Sequence, residues 1–108
     1  MNANILQINF KLNVSPEAYT TIATGLGDAF ASVDGLEWKI WLLNPEGSEA
    51  GGIYCFRDTS AAQAFLGGRL VAQVKAAPFL TDLSVKQFQV MDKLTAVTRG
   101  PVTSTVAA

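Results

Sequence analysis

The stretch LEWKIWLLNPEGSEAGGIYCF, residues 36–56, decides how this chain folds. Two apolar runs flank Asn44-Pro45-Glu46-Gly47-Ser48, residue types that build turns. The runs are rich in aromatic and branched side chains, so residues 36–43 and 50–57 read as the two arms of a β-hairpin. With Asn44 opposite Glu49, counting pairs Trp38 with Cys55, Lys39 with Tyr54, Ile40 with Ile53 and Trp41 with Gly52. Side chains alternate faces along a strand, so the two tryptophans point opposite ways. One face of the hairpin then carries Trp38, Ile40, Leu42, Ile53 and Cys55. The other carries Lys39, Trp41, Tyr54 and Phe56.

On the N-terminal side, NILQINFKL (4–12) alternates as a strand does, with Leu6, Ile8, Phe10 and Leu12 on one side and Gln7, Asn9 and Lys11 on the other. Extending the hairpin's parity by analogy places Leu6, Ile8 and Phe10 on the apolar face and Gln7 and Asn9 on the mixed one. SPEAY (15–19) opens a helix, with Ser15 as cap, Pro16 in the first turn and Glu17 beside it. Tyr19, Ile22, Leu26, Phe30 and Val33 recur at helical spacing and form one apolar stripe, ended by Asp34-Gly35. Gly25 and Gly27 weaken that helix, and they read either as close packing against a neighbour or as simple tolerance. On the C-terminal side, Asp58 or Thr59 caps a second helix to about Ala76, with Phe65, Leu66, Leu70 and Val74 as its stripe. Gly67-Gly68 is expected to kink or loosen it. Residues 83–92 read as a last strand. The order βαββαβ predicts an α+β, ferredoxin-like domain: a four-stranded antiparallel sheet with two helices on one face. The domain is expected to span residues 1–94. Residues 95–108, rich in Thr, Val, Ala and Ser, are expected to be a frayed tail or an arm on a second subunit.

Composition narrows the function classes. The chain has 108 residues, 49% of them hydrophobic and 16% charged, which fits one globular domain with one core. A net charge of −1 without any Lys/Arg cluster predicts no nucleic-acid partner. No apolar run is long enough to span a bilayer, so no membrane partner is expected. The N-terminal residues do not read as a signal peptide, and a single cysteine fits a cytoplasmic location. Cys55, between Tyr54 and Phe56, reads as a small buried hydrophobe. The sequence contains no histidine, which removes Ser-His-Asp and Cys-His catalysis and the usual zinc and haem ligation. Neither a dinucleotide fingerprint nor a P-loop is present. No metal site and no cofactor are expected.

Helices cover only one face of such a sheet, and either face of this one would leave a large apolar patch in water. A second copy of the chain is therefore expected to cover the other face, giving a homodimer. Gly51-Gly52 leaves room above the backbone, filled either by the Trp41 ring or by an approaching ligand.

LEWKIW, the nine residues after it and GGIYCF, with LQINF before them and VKQFQV after, closely resemble the YdhR family of mono-oxygenases. The resemblance covers the chain to about Leu94. It implies a dimeric α+β barrel and, by likeness to quinone-forming enzymes, oxygenation without metal, flavin or haem. Such chemistry needs a small aromatic substrate with an acidic proton (a phenol, anthrone or hydroquinone), whose anion itself reduces oxygen. On that reading Lys39, Tyr54 and Asn9 are the catalytic candidates: Lys39 to stabilise the anion, Tyr54 and Asn9 to hydrogen-bond its oxygens. Trp41, Phe56, Gly52 and Gln7 are the substrate-binding candidates. Taken singly, each has a plainer role: Lys39 as a snorkelling surface lysine, Tyr54 as a core ring, Asn9 as an inter-subunit hydrogen-bonder. Two alternatives stand beside oxygenation: a non-catalytic dimeric carrier or sensor of a small aromatic or apolar ligand, and an isomerase of the same barrel superfamily.

Overall fold

The computed structural model describes residues 3–102. Its elements run β1 (Asn4–Leu12), α1 (Pro16–Ala31), β2 (Leu36–Asn44), β3 (Glu49–Phe56), α2 (Thr59–Leu66), α3 (Arg69–Lys75), β4 (Leu80–Gln89) and α4 (Asp92–Val97). The four strands form one antiparallel sheet in the order β2-β3-β1-β4, the ferredoxin-like arrangement. Among the described residues no helix is long and apolar enough to cross a membrane.

Local chemistry explains the element ends. The Ser15 hydroxyl accepts from the Ala18 amide at 3.1 Å and caps α1, with Pro16 in its first turn. Asp58 does the same for α2 through the Ala61 amide at 2.8 Å. The expected second helix is two: Gly67-Gly68 breaks it into α2 and α3. The hairpin register is the one counted from its turn, Lys39 against Tyr54 and Trp41 against Gly52.

One core lies between the sheet and the helices. It joins Leu6, Ile8 and Phe10 of β1 to Tyr54 and Phe56 of β3, Tyr19 and Phe30 of α1, Phe65 of α2 and Val71 of α3. α1, α2 and α3 therefore cover the same face. This corrects the parity assumed for β1. Leu6 pairs with Tyr54 and Ile8 with Gly52, so the apolar side of β1 shares the face of Lys39 and Trp41. Gln7 and Asn9 lie on the opposite, outer face with Trp38, Ile40, Ile53 and Cys55. The physical reason is that β1 is central: its unbroken apolar row gives the helices their broadest contact.

β4 begins three residues earlier than the sequence suggests and carries a bulge opposite Asn9–Lys11, where Asp82 has φ +55°. That inserted residue hides the strand's start behind a turn-like Thr-Asp pair. The segment expected to be a frayed tail or an arm on a second subunit is described as far as residue 102. Residues 92–97 form α4, and Pro101 accepts a hydrogen bond from the Trp38 indole N–H at 2.8 Å. Val102 packs near Cys55, Val90 and Ala3 on the outer face of its own sheet. Trp38 packs on the same cluster as Val102, and its indole N–H finds its acceptor in this segment. Residues 103–108 of that expected tail lie outside the described residues.

Candidate active site

Lys39 is the polar centre of the helix-covered face. It stands on β2 beside Tyr54, and the glycine at position 52 makes its path possible. A Cβ on Gly52 would come within 2.8 Å of the Lys39 Cε and 3.3 Å of the Tyr54 ring. The space above Gly52 is thus occupied by the lysine stem and the Tyr54 ring and not by the Trp41 ring. The ammonium nitrogen ends 3.3 Å from the centre of the Trp41 ring, 3.6 Å from that of Phe30 and 4.6 Å from that of Tyr54. Phe30 and Trp41 meet edge to face at 5.2 Å, and Tyr54 lies 5.1 Å from Phe65.

The electrostatics follow from this box. Among the described residues no carboxylate pairs with Lys39; the ion pairs found join Arg57 to Asp34 and Asp58. Burial pushes the Lys39 amine down to about 7. The three ring faces act in the opposite sense, since π density favours the ammonium form. Lys39 is therefore poised to exist as a free amine near neutral pH and to become a cation at little electrostatic expense. Burial raises the Tyr54 hydroxyl well above the usual phenol range, with the neighbouring Tyr19 adding to it, and raises Tyr19 as well. Both phenols stay protonated and can only donate or accept neutral hydrogen bonds.

Of the candidates taken from the sequence, the structure brings together Lys39, Tyr54, Trp41 and Gly52. Phe56 shares their face, but it is fully buried against Tyr54 and Phe65 and lies in the core beneath the site. Gln7 and Asn9 lie on the opposite sheet face, away from Lys39, where the Gln7 amide donates to the Asn9 side-chain oxygen at 3.1 Å. Phe30, Tyr19 and Phe65, which the sequence does not single out as candidates, also border this box. Their signal was present, since all three sit in the apolar stripes of α1 and α2, but a stripe does not say which sheet residue it meets.

The free space inside this box is small. The cavity bounded by Lys39, Tyr54, Phe30, Tyr19 and Phe10 holds about 30 Å³, room for a water or a diatomic gas and far short of a ring. Larger grooves of about 300 and 260 Å³ open beside Trp41, between α1 and β2.

The family model described as "Putative mono-oxygenase ydhR" matches residues 5–101. The chain belongs to the YdhR family. Several solved structures share the fold. NE2512 of Nitrosomonas europaea, a protein of unknown function, is 21% identical, with a TM-score of 0.64 over 84% of this chain and 91% of its own. SnoaB of Streptomyces nogalater, a cofactor-independent oxygenase, is 14% identical, with a TM-score of 0.67 over 83% and 94%. A dimeric ferredoxin-like protein of unknown function from Thermobifida fusca is 19% identical, with a TM-score of 0.62 over 83% and 93%. At such identities the likeness is one of fold. No curated protein matches the sequence. YdhR membership nonetheless fits the quoted hairpin, whose Lys39, Trp41, Gly52 and Tyr54 are the residues that converge here.

Proposed function

We propose that this YdhR-family protein oxygenates a flat aromatic compound carrying an acidic proton, a phenol, anthrone or hydroquinone, with no cofactor. The observation that carries this reading is Lys39: a half-buried amine with no carboxylate partner among the described residues, ringed by Trp41, Phe30 and Tyr54. In a protein without histidine, that amine is the one group on this face able to take a proton near pH 7. The substrate ring lies against Trp41, and its acidic C–H or O–H reaches Lys39. Proton transfer gives an anion beside a newly formed ammonium, in surroundings too apolar to shield the pair. For an anthrone the anion passes one electron to O2, and the resulting radical and superoxide combine at the ring carbon. Lys39 returns its proton to the peroxide. Loss of water then leaves a carbonyl, so one oxygen atom enters the product and the other leaves as water. The cavity of about 30 Å³ beside Lys39 suits O2 in size and in its apolar walls.

A second copy of the chain covers the outer sheet face, where Ile40 and Phe88 are each 48% exposed beside Trp38 and Ile53. Asn9 and Gln7 then act at that interface and not in the chemistry.

The test is oxygen uptake by chelator-treated protein with anthrones and hydroquinones, using labelled O2. The reading expects quinone product carrying one labelled oxygen, and loss of at least 100-fold in kcat/KM for Lys39→Met. Tight binding without uptake would instead favour a carrier, and rearrangement without uptake an isomerase.

A further inference from the structure

We propose that the substrate enters through the seam between α1 and β2, and that Gly27 keeps this seam open to a fused-ring phenol. The inference rests on the oxygenase reading for the ligand's acidic group, but the cleft itself rests on geometry.

Gly27 sits in the interior of α1, where glycine weakens a helix by about 1 kcal/mol relative to alanine. No packing requirement explains it. Its backbone is ordinary helix, and a Cβ built there would meet nothing within 4 Å. The space it faces is a cleft with two lobes. One lobe, about 300 Å³, runs from Gly27 past Thr20 and Thr24 to Leu43. The other, about 260 Å³, runs from Gly27 past Phe30 and Glu37 to Lys39. Gly27 and Trp41 border both lobes, so the cleft is pinched between a helix surface without a side chain and an indole that is 39% exposed. Each lobe is close to the lower end of the size range of small-molecule sites.

The occupant's chemistry follows from the walls. Trp41 offers a planar face, the helix side offers Ala23, Gly27 and Ala31, and the polar groups are the threonine hydroxyls at the outer end and Lys39 with the Glu37 carboxylate at the inner one. The Thr24 hydroxyl already donates to the Thr20 carbonyl at 2.8 Å, which leaves its oxygen free to accept. A flat, uncharged molecule of two or three fused rings, with its acidic proton at one end, satisfies both lobes. A single-ring phenol fills only one. A bulky side chain at position 27 would close the passage between them.

The experiment measures binding of 1,8-dihydroxyanthraquinone, a tricycle that cannot be oxidised further, and of hydroquinone by calorimetry, with oxygen uptake on 1,8-dihydroxyanthrone followed separately. Wild type, Gly27→Ala, Gly27→Leu and Thr24→Phe are compared, with circular dichroism and melting to confirm folding. Gly27→Ala is expected to raise the melting temperature. Gly27→Leu is expected to weaken tricycle binding at least tenfold and to lower the tricycle-over-hydroquinone preference. Should Gly27→Leu not fold, Thr24→Phe reports on the outer lobe with the same expected loss. Unchanged tricycle affinity in the folded variants, or no tricycle binding by wild type, overturns the seam. Failure of oxygen uptake alongside tricycle binding that Gly27→Leu abolishes would remove the oxygenase reading and leave the seam standing.

Discussion

Lys39 has a consequence for stability that follows from its burial alone. Its folded-state value, about 7, lies below the 10.5 of an exposed lysine. Between those values the unfolded chain binds a proton that the folded chain does not, so stability rises with pH. Cys55 opposes this at higher pH: burial, with Glu37 as a lesser cause, raises its thiol from 9.0 to about 11, so unfolding is favoured as the unfolded thiol ionises. The window in which Lys39 acts alone is therefore pH 7 to 9. Urea midpoints are expected to rise across it in the wild type and to stay flat in Lys39→Met; parallel slopes would show that Lys39 is solvated. Residues at this scale were legible where a local turn set their register. Lys39, Trp41, Gly52 and Tyr54 follow from counting across five turn residues. Asn9 and Gln7 do not, because the register of β1 depends on contacts made more than forty residues away.

Among the elements, the segment after β4 is the one whose role changes most. Its sequence is bland, and among the described residues the Trp38–Pro101 hydrogen bond and the packing of Val102 tie it to its own sheet. Trp38→Phe keeps most of the ring and removes the donor, at an expected loss of about 1 kcal/mol. Amide exchange in residues 92–102 is expected to accelerate while β1 and β3 stay protected; uniform protection would mean that the segment is held by other contacts. The cap of α1 is the simpler case, readable from SPEAY alone, and Ser15→Ala is expected to lower stability by about 1 kcal/mol in thermal melts. The Gly67-Gly68 break was legible as a weak point. That it yields two helices, with Phe65 turned to the site before it and Val71 to the core after it, depends on the sheet beneath.

For the whole molecule, the two tryptophans mark a division of labour between the two sheet faces. The face with Trp41 is roofed by α1, α2 and α3 and holds Lys39 among rings. The face with Trp38 keeps Ile40 and Phe88 exposed, and beside it the α4 segment shows Met91, Leu94 and Val97 to solvent. A dimer burying more than about 1,000 Å² is expected there, and Ile40→Glu is expected to give a monomer in sedimentation at micromolar concentration. Fold class was legible because hydrophobic period and turn residues agree along the chain; the identity of the roofed face was not, because both faces are apolar enough to be covered. The central claim is that the roofed face turns Lys39 into a base. Labelling the lysine ε-carbons and following the Lys39 NMR signal with pH in the intact protein measures this directly. A midpoint near 7 is expected. A midpoint near 10.5 would contradict it, leaving the aromatic box with a permanent cation and no group to take the substrate's proton.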